Sequence, residues 1–152
     1  MVLMERAALA VCEEIAATEQ NMDKALVVAG VGNNGGDGLA AGRLLALQGV
    51  QVTFYMAGSP EKMSEETKKQ VFILKNLGIS IQSKLDDAEY DMVVDALFGI
   101  GLSREVQGDY AEVIQKINRS RQQGAFICSV DIPSGICADT GVFLGFGVQA
   151  DL

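Results

Sequence analysis

Three short clusters in this sequence hold side chains that could do chemistry, and most of those side chains end in oxygen. The first is Gly30-Val31-Gly32-Asn33-Asn34-Gly35-Gly36-Asp37-Gly38. The second is Asp95 with the nearby stretch Gly99-Ile100-Gly101-Leu102-Ser103-Arg104-Glu105, and the third is Asp131-Ile132-Pro133-Ser134-Gly135. The chain contains no histidine, which removes histidine triads, histidine metal sites and the commonest general base together. Acid–base work therefore falls to a carboxyl group, and Asp131, before a proline-containing turn, is the best-placed candidate. The competing role for Asp131 is that of an Asx-type turn stabiliser.

Five glycines in nine residues leave the first cluster little side-chain bulk. Its N–H groups can approach a ligand closely, and positive φ angles are cheap there. The cluster follows the apolar run 25–29 and leads into a helix-like segment over 39–47. A loop between a strand and a helix N-terminus suits phosphate, so a phosphorylated metabolite or nucleotide is the expected ligand. Gly30-x-Gly32-x-x-Gly35 also matches the dinucleotide fingerprint. An NAD-binding fold, however, wants an acid about 20 residues on, at the end of its second strand. Here that strand, 50–56, ends in Ala57-Gly58-Ser59, which disfavours an ordinary NAD dehydrogenase. The plain alternative is a tight turn with Asp37 as the helix cap, although such a turn does not need so many glycines.

Asp95 closes the apolar run 92–94, where a carboxylate is costly unless it is paired, capped or bound to a cation. Hydrogen bonds from nearby loop N–H groups are the simple solution. Oxygens from Asn34, Asp95 and Ser134 carry one formal negative charge between them, which suits a weakly bound monovalent cation better than zinc. Arg104, in the second glycine-bearing loop, could meet a phosphate or stay solvated.

These clusters must be positioned by the elements between them. The pattern predicts a first helix over 3–15, a strand over 25–31, a helix from about 38 to 48 and a strand over 50–56. Ser64-Glu65-Glu66 starts the next helix, which Gly78 stops; short apolar runs at 79–81, 91–96 and 125–130 read as strands, with a helix over about 109–120 between the last two. Apolar strands separated by amphipathic helices predict a Rossmann-like three-layer α/β/α sandwich with a mostly parallel central sheet. In the common order 3-2-1-4-5 the first, fourth and fifth strands are neighbours. Asn33 and Asn34, Asp95, and Asp131 with Ser134 would then face a single cleft at the strands' carboxyl ends. The last residues, 149–152, read as the entry to a further strand, so 1–152 is expected to be one domain, incomplete at both ends.

Bulk composition narrows the partners. The chain has 152 residues, 49% of them hydrophobic, with no apolar run near membrane-spanning length. Its net charge of −8 disfavours nucleic acid. Cys12, Cys128 and Cys137 lack metal-type spacing and read as reduced, mostly buried thiols of a cytoplasmic protein. The first helix reads as amphipathic, with Glu13 and Glu14 interrupting any secretory h-region.

At Leu3-Met4-Glu5, at the cluster 30–38, at Val94-Asp95-Ala96-Leu97-Phe98-Gly99, at Gly101-Leu102-Ser103-Arg104, at Gly108-Asp109-Tyr110, at Ser129-Val130-Asp131-Ile132-Pro133-Ser134-Gly135 and at Asp139-Thr140-Gly141, the chain resembles the YjeF N-terminal domain family, the NAD(P)H-hydrate epimerases. The resemblance implies a dimeric isomerase that interconverts the R and S epimers of hydrated NADH and NADPH, damaged cofactors with a hydroxyl on the nicotinamide ring. It implies that Asn33, Asn34, Gly35, Gly36 and Asp37, with Gly99, Ile100, Gly101, Leu102, Ser103, Arg104 and Glu105, contact the substrate. Asp131 would face the nicotinamide as the acid–base residue, in a partly desolvated cleft. Asn34, Asp95 and Ser134 would hold a potassium ion, and a separate or fused ADP- or ATP-dependent NAD(P)H-hydrate dehydratase would be the partner enzyme. Two residues depart from the family pattern: Ile100, where threonine is frequent, and Glu105, where proline is common and an acid would weaken phosphate binding. A non-catalytic scaffold of the same fold is the alternative reading.

Overall fold

The computed structural model describes residues 2–20 and 22–152. Its elements are α1 (Val2–Ala17), β1 (Lys24–Ala29), α2 (Asn33–Leu47), β2 (Gln51–Met56), a short 3-10 turn (Pro60–Lys62), α3 (Glu65–Asn76), β3 (Ile81–Gln82), β4 (Met92–Ala96), α4 (Asp109–Gln122) and β5 (Phe126–Ser129). The five strands form one parallel sheet in the order β3-β2-β1-β4-β5. This is the expected Rossmann-like arrangement, with the strand order reversing between β1 and β4.

Strand side chains alternate between two cores. Ala25, Val27 and Ala29 of β1 join Met92, Val94 and Ala96 of β4 beneath α1, α2 and α3. Leu26, Val28, Val93 and Ile127 point the other way, against Ala111, Ile114 and Ile117 of α4. The sheet is therefore covered on both faces, which is what its near-continuous apolar strands require. Burying each of Leu39, Phe54, Leu74 and Ile114 completely contributes roughly 1.5–3 kcal/mol. A bidentate Arg43–Glu5 pair, at 2.6 and 2.8 Å, joins α2 to α1, and Gln70 of α3 donates to the same carboxylate.

Element ends depart from expectation in three places. β1 stops at Ala29, two residues early, because the chain turns at once into α2. α2 starts at Asn33 rather than near residue 38, so most of the glycine cluster is helix. β3 begins at Ile81, not Ile79, for a local reason. The N–H groups of Gly78 and Ile79 bond back to Lys75 and Leu74 in a Schellman closure of α3, with Gly78 at φ +75°. Ile79 is thus committed to the helix end.

The last residues lie along β5: Asp151 N–H donates to Ile127 O and Ser129 N–H donates to Leu152 O, both at 2.8 Å. Cys12 and Cys128 are buried free thiols, and Cys137 is half-buried. Among the described residues no helix is long and apolar enough to cross a membrane.

A Cβ on Gly42 would fall 2.6 Å from both Phe54 Cε1 and Val27 Cγ2, where α2 crosses the sheet. Gly42→Val is expected to overpack this crossing and destabilise the fold by about 1–3 kcal/mol, read as a lower urea midpoint at unchanged slope.

Candidate active site

The glycines of the first cluster serve close packing rather than unusual backbone angles. None of Gly30, Gly32, Gly35, Gly36 or Gly38 has a positive φ, contrary to the use expected of them. A Cβ on Gly35 would lie 1.8 Å from Gly30 O, one on Gly38 2.2 Å from Ala96 Cβ, and one on Gly36 2.7 Å from Met4 Cε. The first turns of α2 therefore rest directly on the ends of β1 and β4. Gly32 is the helix N-cap, without a side-chain cap, and Asp37 lies one turn inside α2, so it is not the cap. The N–H groups of the first helical turn have no intrahelical acceptor and leave an anion-binding end at the sheet's carboxyl edge.

Ser64 and Thr67 hold this turn in place. Thr67 Oγ1 donates to Gly32 O at 2.7 Å, and Ser64 N–H donates to Val31 O at 2.9 Å. Ser64 Oγ accepts from Thr67 N–H as the N-cap of α3. The cap was legible as Ser64-Glu65-Glu66; the reach of Thr67 to Gly32 was not.

Asp95 is fully buried and satisfied by hydrogen bonds. Its Oδ1 accepts from Ser134 Oγ (2.6 Å) and Leu97 N–H (3.3 Å), and its Oδ2 from Ser129 Oγ (2.8 Å) and Ser134 N–H (2.8 Å). Burial pushes this carboxyl up from the usual range, and the bonds from Ser134, Ser129 and Leu97 pull against it. The simple solution, capping by neighbouring donors, is thus realised, with Ser129 a partner that sequence reasoning missed although it precedes Asp131 by two residues. Ser134 Oγ also accepts from Phe98 N–H at 2.8 Å and lies 3.2 Å from Phe98 O. Asp95, Ser134 and Phe98 thereby join the ends of β4 and β5.

Asp131 stands on that frame. Its φ is +70°, and Ile132 N–H bonds back to Val130 O at 3.0 Å, the pattern of a strained γ-turn. Strain of this kind collects at functional sites and costs about 1–3 kcal/mol. Asp131 Oδ2 accepts from Ile100 N–H at 3.1 Å. A Cβ on Gly99 would fall 2.8 Å from the same oxygen and 3.3 Å from Asn34 Cγ, so Asn34, Gly99 and Asp131 meet at one point. Asp131 is exposed at the mouth rather than partly desolvated as expected. Asp37 faces the same space: burial, then the charge of Asp131, pushes its carboxyl up to about 6.

Asn34 carries the one unsolved polar group here, since its Oδ1 and Nδ2 are buried without a hydrogen-bond partner. A buried amide oxygen in that condition calls for a ligand or a cation. Farther along the same edge, Arg104 and Glu105 line a cleft of about 250 Å³ with Phe98 and Tyr110. The two aromatic rings pack at 5.1 Å between centroids. Glu105 accepts from Gln107, which holds its charge at the rim. Gly101, Leu102 and Ser103 form the connecting turn, with Leu102 N–H donating to Gly99 O.

A family model for the YjeF-related protein N-terminus matches residues 1–152. The chain is 46% identical to an NAD(P)H-hydrate epimerase of Oenococcus oeni, across 98% of this chain and 70% of that protein. It is 43% identical to an NAD(P)H-hydrate epimerase of Levilactobacillus brevis, across 99% and 69% respectively. The crystal structure of the yeast protein ynu0 superposes with a TM-score of 0.81 at 26% identity, over 97% of this chain and 67% of that one.

Two variants test this geometry. Ser134→Ala leaves Asp95 Oδ1 and the Phe98 N–H each short of a partner and is expected to cost about 1.5–3 kcal/mol in chemical denaturation. Asp37 has a folded value above its unfolded one, so its contribution to stability is present in acid and lost as pH rises through about 6. Asp37→Asn is accordingly expected to match the wild-type melting temperature near pH 4 and to exceed it near pH 7.5.

Proposed function

The chain belongs to the YjeF-related N-terminal family, and from that membership we infer that it interconverts the R and S forms of hydrated NADH and NADPH. It is an isomerase of nicotinamide-cofactor repair, and its reaction needs no redox step. The observation that carries the assignment of its centre is the Asp131 carboxyl, fixed by Ile100 N–H above Gly99 and Asn34.

Epimerisation at a hydroxyl-bearing ring carbon needs a proton delivered to the hydroxyl oxygen as the C–O bond breaks and water leaves. The electron pair of the ring nitrogen fills the vacancy, water adds to the other face, and the proton it gives up returns to the acid–base group. Asp131 is the residue assigned to both transfers, which general acid–base groups accelerate typically by 10²–10⁴-fold. Asp37, more readily protonated than an ordinary aspartate, lies across the same space. The open N–H groups at Asn33, Asn34 and Gly35 suit the substrate's phosphates, with Gly36 seating that turn. The segment Gly99 to Glu105 supplies the opposite wall, and Arg104 supplies a cation.

The orphaned Asn34 amide oxygen supports a potassium ion at this edge. Asn34, Asp95 and Ser134 are the residues that would hold it. When bound, the ion supplies a fixed positive charge among three aspartates and an anionic substrate. The family resemblance further supports a homodimer, for which Val2 and Leu9, exposed on one side of α1, offer an apolar surface. It also supports a separate or fused ADP- or ATP-dependent dehydratase as partner, and the free thiols suit a cytoplasmic location.

Purified protein is expected to speed the approach of separated hydrated NADH epimers to their mixture, followed by chromatography. Asp131→Asn should slow this at least about 10²-fold with an unchanged melting temperature; full activity in that variant overturns the assignment. Replacing potassium with tetramethylammonium should lower both the rate and the melting temperature. In Asn34→Ala the two salts should give the same melting temperature.

A further inference from the structure

A second cleft, of about 670 Å³, lies over the carboxyl ends of β2 and β3 and is larger than the one holding Arg104. Small-molecule sites commonly span roughly 300–1,000 Å³. It draws on both layers, with Met56 and Ile81 from one core and Tyr55 and Tyr110 from the other. Nothing in the acid–base centre accounts for it.

This cleft continues from the centre already described. Phe98, the residue before Gly99, packs on Tyr110, and Tyr110 lines both the Arg104 cleft and the larger one. A Cβ on Gly58 would fall 2.6 Å from Tyr110 Oη and 3.2 Å from Val31 Cγ1, so the glycine turn after β1 borders it as well. A ligand of two linked halves, with one half at Asp131 and its phosphates at the α2 N-terminus, would have its second half leave over Tyr110. The larger cleft is where it arrives.

Dinucleotide folds place an acid at the end of the second strand to hold the ribose hydroxyls of the adenosine half. In this chain β2 runs out into Ala57, Gly58 and Ser59. Asp109, the first residue of α4, lines the same cleft from the opposite side. Tyr55 lines it too, its hydroxyl pushed up first by burial and then by the charge of Asp109. The strand end lacks a carboxyl, and the start of α4 brings one to the same cleft.

Resting on the epimerase reading, we propose that this cleft binds the adenosine half of the hydrated dinucleotide and that Asp109 accepts its ribose hydroxyls, favouring hydrated NADH over hydrated NADPH. A 2′-phosphate would place its charge against Asp109, since acceptor faces acceptor. Lys62 is the cation on this cleft and the group a 2′-phosphate would seek.

The test compares hydrated NADH, hydrated NADPH and hydrated reduced nicotinamide mononucleotide as substrates, alongside calorimetric binding of adenosine 5′-monophosphate. Wild type should lose at least about tenfold in kcat/KM on the mononucleotide. Asp109→Asn should raise KM for hydrated NADH about tenfold at unchanged kcat, leave the mononucleotide unaffected and narrow the preference over hydrated NADPH. Adenosine 5′-monophosphate should bind wild type and Asp131→Asn alike, and Asp109→Asn several-fold more weakly. Equal kcat/KM for the mononucleotide and the dinucleotide, or an Asp109→Asn effect of the same size on all three substrates, overturns the cleft assignment. A selective loss of hydrated NADPH turnover in Lys62→Ala, with Asp109→Asn silent, overturns the preference. If no substrate is epimerised, the epimerase reading fails, and nucleotide binding that Asp109→Asn weakens still upholds the cleft.

Discussion

The structure depends on how closely one helix end can approach one sheet end. Three residues separate the end of β1 from the start of α2, whose first turns lie against Gly30 and Ala96 with no side chain between. A single methyl group at Gly35 or Gly38 would collide with its neighbours. Interiors are packed to crystal-like density and give way little, so such a collision would move the helix rather than be absorbed. Everything at the carboxyl edge is measured from that seat. The Asn34 amide reaches Gly99 because the helix is this close, and Asp131 can stand beside both.

A second constraint, the buried Asp95, fixes the other half of the edge. Taking a carboxylate out of water is expensive, and the protein offsets the cost with four donors from three segments. Those donors cross from the end of β4 to the end of β5 and the turn beyond. The group that needs them therefore sets the distance between the loops after both strands, and with it the position of Asp131. The glycine contact and the carboxylate network meet at Gly99, which lets Asn34 and Asp131 share one point.

Much of this was legible in the chain. Strand order followed from the βα alternation, and the meetings of Asp95 with Ser134 and of Asn34 with Asp131 followed from their places at the carboxyl ends of strands. What was misread has physical causes. The glycine cluster looked like a loop because glycine is a poor helix former, a propensity outweighed here by packing that only glycine permits. The alternative role for Asp37, a helix cap, fails because the helix starts one turn earlier. Ile79 looked like strand because its neighbours are apolar, while its N–H closes a helix. Partners such as Ser129 and Thr67 could not be read from spacing, since each acts across a contact between elements distant in sequence.

The hydroxyl of Thr67 and the N–H of Ser64 tie the glycine turn to the start of α3, so the turn cannot open without breaking its bonds to a neighbouring helix. The conformational entropy of ordering these N–H groups is then lost once, during folding, and not again at each encounter with an anion. An anion that binds there would meet donors that already hold their places, with little left to order. A weakened turn would instead lose part of each binding event to reordering, even with every contact atom intact.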